Sequence, residues 1–151
     1  MHSVLVVDDE KWIRRGLIQT INWDAFGLKF AGEAANGDDA FTLAMEIRPD
    51  LMFLDMLIPG MDGRALLAKL KEVLPNIKVI VISGYSDFEN TKEAIRHHVL
   101  DYLLKPVRKE ELNAVLGKVC EEIRSIKEKK ESSLLAQDGW FRNTNFKIQK
   151  L

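Results

Sequence analysis

Cysteine is almost absent: the chain has one, Cys120, in 151 residues. A single thiol allows no internal disulfide and no cysteine-built metal cluster, and its place in a helical pattern reads as a small packing residue. Proline is scarce too, and all four prolines fall where an apolar pattern breaks. No sign of charge is in excess. The formal net charge is -1, so bulk electrostatics draw the protein neither to nucleic acid nor to anionic membrane, and any such binding must come from a local patch. Long hydrophobic runs are missing as well: none approaches the ~20 residues that span a bilayer. The N-terminal Val4 to Val7 (VLVV) runs straight into three acids, too short and too acidic for a signal-peptide core. A cytoplasmic location without a membrane partner is expected.

What is present is ordinary globular composition, with 46% hydrophobic and 30% charged residues, which argues against disorder. The length allows one domain with a true core and about 20 to 30 residues more. A second full domain does not fit.

Ser3 to Val7 is a short, β-branched apolar run that suits a strand buried on both faces. Ile13, Leu17 and Ile21 then repeat every four residues, the inner stripe of a first helix. Asn22 to Gly27 (NWDAFG) reads as a loop and Leu28 to Ala34 as a second strand. Asn36-Gly37 turns the chain into a second helix with Ala40, Phe41, Ala44 and Met45 inward, ended by Pro49. Leu51 to Leu54 is a third strand, and Pro59-Gly60 marks the loop beyond it. Gly63 to Leu74 is a third helix with Leu66, Leu67, Leu70 and Leu74 on one face. Lys78 to Ile82 is a fourth strand. Ser86 to Glu89 has the spacing of a capping box, opening a fourth helix up to about His98. Its few apolar residues, Phe88, Ala94 and Ile95, make it the expected mobile element. Val99 to Leu104 is a fifth strand, and a final helix runs from about Lys109 to Lys130.

Strands apolar along most of their length, alternating with helices, call for a parallel sheet covered on both faces. Right-handed crossovers leave few topologies, and the flavodoxin-like, doubly wound order 2-1-3-4-5 is a common one for five strands. Functional residues in such sheets collect at the carboxyl ends of the strands. Those ends are Asp8 and Asp9 after strand one, Asp55 after strand three, Ser83 after strand four and Lys105 after strand five.

Three carboxylates brought together repel, each pair by roughly 4 kcal/mol at 4 Å and an effective dielectric near 20. A cation must sit among them. Oxygen donors suit a hard divalent ion, and Mg2+ fits because it keeps waters and accepts phosphate oxygens. Zinc does not fit, since neither cysteine nor histidine lies near the cluster. Phosphoryl transfer asks for an in-line nucleophile and positive charge around the equatorial oxygens. Asp55 can attack, already ionised at neutral pH. Mg2+ and Lys105 can neutralise, and the Ser83 hydroxyl can donate to a phosphoryl oxygen.

With these residues in view, the sequence resembles the receiver domain of two-component response regulators. VLVVDDE, LDMLIPGMDG, VISGYSD and DYLLKPV stand in that family's order and at its spacing, and the similarity covers about Met1 to Ile126. The resemblance implies that Asp55 is the phospho-acceptor, that Asp8 and Asp9 organise Mg2+, and that the backbone carbonyl of Leu57 completes the metal site. It implies Ser83 as the switch hydroxyl, Tyr102 as the switch aromatic, Lys105 as the active-site lysine, and a cis Lys105-Pro106 peptide. A sensor histidine kinase would be the donor, and the chain would catalyse only its own phosphorylation and dephosphorylation. The signal would pass to the face made by the fourth helix, fifth strand and fifth helix, on which similar domains form homodimers. NWDAFG and GYSDFENTKEAI look like receivers joined to AraC-type helix-turn-helix output domains. Nothing after Ser132 resembles a DNA-binding unit, so an excised receiver from a longer transcription factor is expected, with DNA reached only through that absent domain.

An aspartate-nucleophile, Mg2+-dependent phosphohydrolase is the nearest enzyme alternative. Such enzymes generally keep an acid two residues after the nucleophile, where this chain has Leu57. A flavin electron carrier would need a phosphate-binding loop where Asp8 and Asp9 would repel the phosphate.

Leu112, Leu116, Val119, Ile123 and Ile126 are spaced 4, 3, 4, 3, a heptad seam longer than the sheet requires. It reads as a core helix with a frayed charged end, or as a helical linker that pairs with its twin. The expected division is a receiver domain at 1–126 and a helical linker extension and tail at 127–151, disordered or opportunistically packed from Ser132. Adjacent His97 and His98 point to different sides of a helix and cannot chelate together; they read as surface residues.

Overall fold

A computed structural model describes residues 1–84 and 101–149, with the side chains of residue 130 and of residues after 131 left aside. Five strands form one parallel sheet in the order β2-β1-β3-β4-β5. They are β1 (His2–Val7), β2 (Leu28–Ala34), β3 (Leu51–Asp55), β4 (Lys78–Ser83) and β5 (Asp101–Leu104). The helices are α1 (Lys11–Thr20), α2 (Trp23–Phe26), α3 (Gly37–Ile47), α4 (Gly63–Val73) and α5 (Lys109–Gln149). The sheet order and the flavodoxin-like class are those read from the apolar runs.

The central strand β3 is buried along its whole length, because it has a neighbour on either side and helices above and below. Its alternation divides the interior. Met52 and Leu54 join Leu5, Val7, Val79 and Val81 in a cluster covered by Ala40 and Ala44 of α3 and by Leu66, Leu67 and Leu70 of α4. Phe41 and Leu43 pack at its margin, and Met45 is half-buried. Phe53, two residues before Asp55, points to the opposite face, between Val6 and Ile80 in register. Leu17 of α1 and Leu112 and Leu116 of α5 are buried on that side.

Several boundaries differ from the sequence reading. β3 and β4 each extend one residue to include Asp55 and Ser83, so both functional side chains stand on the last residue of a strand. NWDAFG is not a plain loop: Asn22 caps the single turn α2 by accepting from the Ala25 amide at 3.3 Å, and Gly27 ends it in the left-handed conformation at φ 63. Cap signals at both ends of four residues make a turn of helix that apolar periodicity cannot reveal. α5 runs to Gln149, not to about Lys130, and includes the stretch from Ser132 for which a disordered or opportunistically packed tail was expected. That stretch contains no proline, the residue that most strongly breaks a helix, and one glycine, Gly139. The expected fourth helix, with its capping box, and His97, His98 and Val99 lie outside the described residues.

The chain divides into two units, Met1–Val119 and Cys120–Leu151. Leu112, Leu116 and Val119, the first three positions of the heptad seam, are fully buried. In the second unit Arg124 pairs with Glu121 and lies 3.8 Å from Glu128, exposed i,i+3 and i,i+4 contacts of the kind that support a solvated helix. Among the described residues no helix is long and apolar enough to cross a membrane.

Candidate functional site

Each functional side chain is carried to one end of the sheet by a strand. The Asp8 amide donates to Ala34 O at 3.1 Å, continuing the β1–β2 ladder past the end of β1. Its carboxylate turns back, and Oδ1 accepts the Glu10 amide at 2.9 Å, which steers the chain into α1. Asp55, 6% exposed at the end of β3, accepts the Leu57 amide on Oδ1 at 3.0 Å. Its Oδ2 accepts from Lys105 Nζ at 2.8 Å.

Lys105 comes from the other side of β4. Its amide donates to Ser83 O at 2.8 Å, and the Lys105-Pro106 peptide is cis. The ammonium lies 3.0 Å from Asp8 Oδ2 as well as 2.8 Å from Asp55 Oδ2. One cation therefore bridges two buried carboxylates. Burial works against the Lys105 charge, but the hydrogen bonds to Asp55 and Asp8 and their negative charges outweigh it, so its pKa stands above the ordinary lysine value.

Asp9 is exposed, and its carboxylate completes a trio with Asp8 and Asp55 whose oxygens lie within 4.8 Å of one another. Asp8 Oδ2 is buried, with the shared Lys105 ammonium 3.0 Å away and no further partner among the described residues. One ammonium does not balance three carboxylates, and the remaining repulsion costs free energy until a further cation meets it. An oxygen-only trio whose charge one ammonium does not balance fits a hard divalent cation such as Mg2+.

The loop that follows Asp55 is held from the side. Gly37 N donates to Pro59 O at 3.1 Å and Met61 N to Asp38 Oδ2 at 3.2 Å. A Cβ on Gly37 would come 1.7 Å from Met61 O, so only glycine permits this approach. Gly60, at φ 77, makes the turn itself. The start of α3 and the loop carrying Leu57 are thus locked together, and the Leu57 amide is fixed where it meets Asp55.

Ser83 is buried and its hydroxyl donates to Gly84 O at 3.1 Å. Tyr102 stands on the edge strand β5 in register with Val81, 38% exposed. Leu57 projects its side chain to solvent. Arg14 has no counterpart in the sequence reading: its Nη1 donates to Asp8 O at 2.6 Å. No spacing signals that contact, because it exists only once α1 folds back over the end of β2.

Comparison with known proteins agrees with this geometry. The family model "Response regulator receiver domain" matches residues 4–117. The uncharacterized transcriptional regulatory protein YesN of Bacillus subtilis (strain 168) is 35% identical over 124 residues, 82% of this chain and 34% of YesN. The transcriptional regulatory protein HptR of Staphylococcus aureus (strain N315) is 40% identical over 119 residues, 79% of this chain and 46% of HptR. The chain therefore spans between a third and a half of the length of these curated relatives. Among solved structures, the REC domain of AraT, a response regulator from Geobacillus stearothermophilus, superposes with a TM-score of 0.80 at 41% identity, covering 83% of this chain and 98% of that one.

Proposed function

This chain belongs to the response regulator receiver domain family of two-component systems, and from that premise we propose that Asp55 is its phosphoryl acceptor, served by Mg2+ and read through Ser83 and Tyr102. The observation that carries the proposal is the Lys105 ammonium bridging Asp55 and Asp8 inside a trio of acids. That arrangement supplies an ionised nucleophile with positive charge beside it, the two things phosphoryl transfer asks of a protein.

Asp8, Asp9 and Asp55, with the Leu57 backbone carbonyl, would hold the metal. Bound there, Mg2+ neutralises charge on the phosphoryl oxygens and orients them. Asp55 attacks phosphorus in line; the nitrogen–phosphorus bond of a kinase phosphohistidine breaks as the aspartyl oxygen–phosphorus bond forms, and the electron pair returns to the imidazole. Lys105 pairs with a phosphoryl oxygen in place of the Asp55 carboxylate it now holds. The Ser83 hydroxyl leaves Gly84 O and donates to another phosphoryl oxygen, and Tyr102 moves into the space behind it. A local charge change thereby reaches the edge of the sheet at β5. In a longer protein of the kind the relatives represent, the readout would be a DNA-binding output domain.

Incubation with acetyl phosphate and Mg2+, followed by intact mass measurement, tests the reading. We expect a gain of one phosphoryl group that chelation of the metal prevents; a gain unaffected by chelation, or sustained turnover of phosphomonoesters, would sink it.

Self-association is a second part of the proposal. A copy of the chain pairs through the face around β5 or through the part of α5 beyond Ile126. For the α5 route, light scattering should show more dimer for the full chain than for a chain ending at Ser125, and equal values would remove that route.

A further inference from the structure

We infer that Arg14 is a positioning residue for the metal site: its guanidinium fixes the peptide joining Asp8 to Asp9, so that both carboxylates are preset for a divalent cation. The inference rests on the metal reading above and adds a residue to it. Arg14 Nη1 donates to Asp8 O at 2.6 Å, and Nε donates to Glu33 Oε1 at 2.8 Å. Only 12% of the Arg14 side chain and 21% of the Glu33 side chain are exposed. The second Glu33 oxygen lies 3.6 Å from Arg15 Nη1.

Glu33 and Ala34 are the last residues of β2, in register with Val6 and Val7 of β1. The Asp8 residue is consequently tied to one strand end twice, through its amide to Ala34 O and through its carbonyl to Arg14 and Glu33. Charge-assisted bonds of this kind are the stronger sort, and the planar fork of arginine serves two acceptors in fixed directions. The carbonyl it holds belongs to the peptide that leads into Asp9. Asp9 is the exposed member of the acid trio, so the backbone is where its carboxylate can be held in place. Without the clamp, a binding cation would have to freeze that backbone itself, at an entropic cost. Glu33 also offsets the Arg14 charge, so the clamp does not repel the cation it serves.

The experiment uses the full chain and compares wild type with Arg14→Met, Arg14→Lys and Glu33→Gln. Mg2+ affinity is read by calorimetric titration, and exchange of the Glu10 amide, which Asp8 Oδ1 accepts, is read without metal. For Arg14→Met we expect Mg2+ binding to weaken about tenfold, the lower end of what supporting partners of metal ligands contribute, together with faster Glu10 exchange. Arg14→Lys should restore part of both, and Glu33→Gln should show a smaller loss in the same direction. A role in folding alone would lower the urea midpoint and leave the Mg2+ affinity as in wild type, which would overturn the inference. If Arg14→Met does not fold, Glu33→Gln decides it in the same way. Wild type that binds no Mg2+ would reject the metal reading itself, whereas wild-type binding with unchanged variants rejects only the role of Arg14.

Discussion

Asp55→Asn is expected to take up no phosphoryl group from acetyl phosphate under conditions that load the wild-type chain fully, while melting at the wild-type temperature or above it. The two halves of this expectation have one cause. Asparagine keeps the shape of the side chain and a carbonyl oxygen that can still accept the Leu57 amide, now at 3.0 Å from Asp55 Oδ1. It lacks the ionised oxygen that would form the bond to phosphorus. In the metal-free protein the substitution removes two repulsions, with Asp8 and with Asp9, and one attraction, with Lys105. At an effective dielectric near 20 the attraction at 2.8 Å is worth roughly 6 kcal/mol and a repulsion at 4.8 Å roughly 3 kcal/mol, so the two repulsions relieved about offset the attraction lost. Lys105 retains Asp8 as its partner. Intact mass and a thermal melt on the same preparation check both halves. Phosphoryl uptake by Asp55→Asn would place the acceptor elsewhere. A melting temperature far below wild type would mean that Asp55 is held for the fold and not at its expense.

The largest loss of stability is expected from Phe53→Ala. Phe53 is fully buried on the central strand, with Val6 and Ile80 beside it in register. Truncating a phenylalanine in such a place removes its transfer free energy and leaves a cavity that a two-sided, packed sheet cannot close. The cost is about 3–5 kcal/mol, a large part of the roughly 5–15 kcal/mol that holds a domain together. The urea midpoint should fall accordingly with the slope unchanged. Trp12→Ala is the control: Trp12 is larger, but it is 83% exposed, and its truncation should change stability by no more than about 0.5 kcal/mol. A cost below 1 kcal/mol for Phe53→Ala would contradict the packing described for the face opposite α3 and α4.

The contrast between Phe53 and Trp12 shows where sequence reading is strong. Leu51 to Leu54 has no polar residue in it, and a run of that kind is stable only where both faces of a strand are covered. Trp12, in contrast, falls outside the Ile13, Leu17 and Ile21 stripe, and the same spacing that turns Ile13 inward leaves it to solvent. The five polar residues at the strand ends were legible for the same reason as the strands: a carboxylate that ends an apolar run must sit at the edge of the sheet. Tyr102 and Leu57 were legible only through resemblance, since an edge-strand aromatic and a loop leucine carry no chemical signal of their own. α2 and the length of α5 escaped because a single capped turn, and a stretch whose apolar residues have no clear spacing, leave no period to count.

By itself, then, the sequence determined the strands, their parallel order and the end of the sheet at which Asp8, Asp9, Asp55, Ser83 and Lys105 gather, because burial on two faces and right-handed crossovers act through short, repeated spacings. Only the tertiary structure decided that one ammonium spans Asp55 and Asp8, that Asp8 and Asp55 are buried while Asp9 is exposed, and that Arg14 holds the Asp8 carbonyl. Those contacts join residues from different elements, and their lengths depend on strand register and on how α1 lies across the end of β2. No local periodicity encodes such distances; they arise when the packed core fixes the strand ends relative to one another.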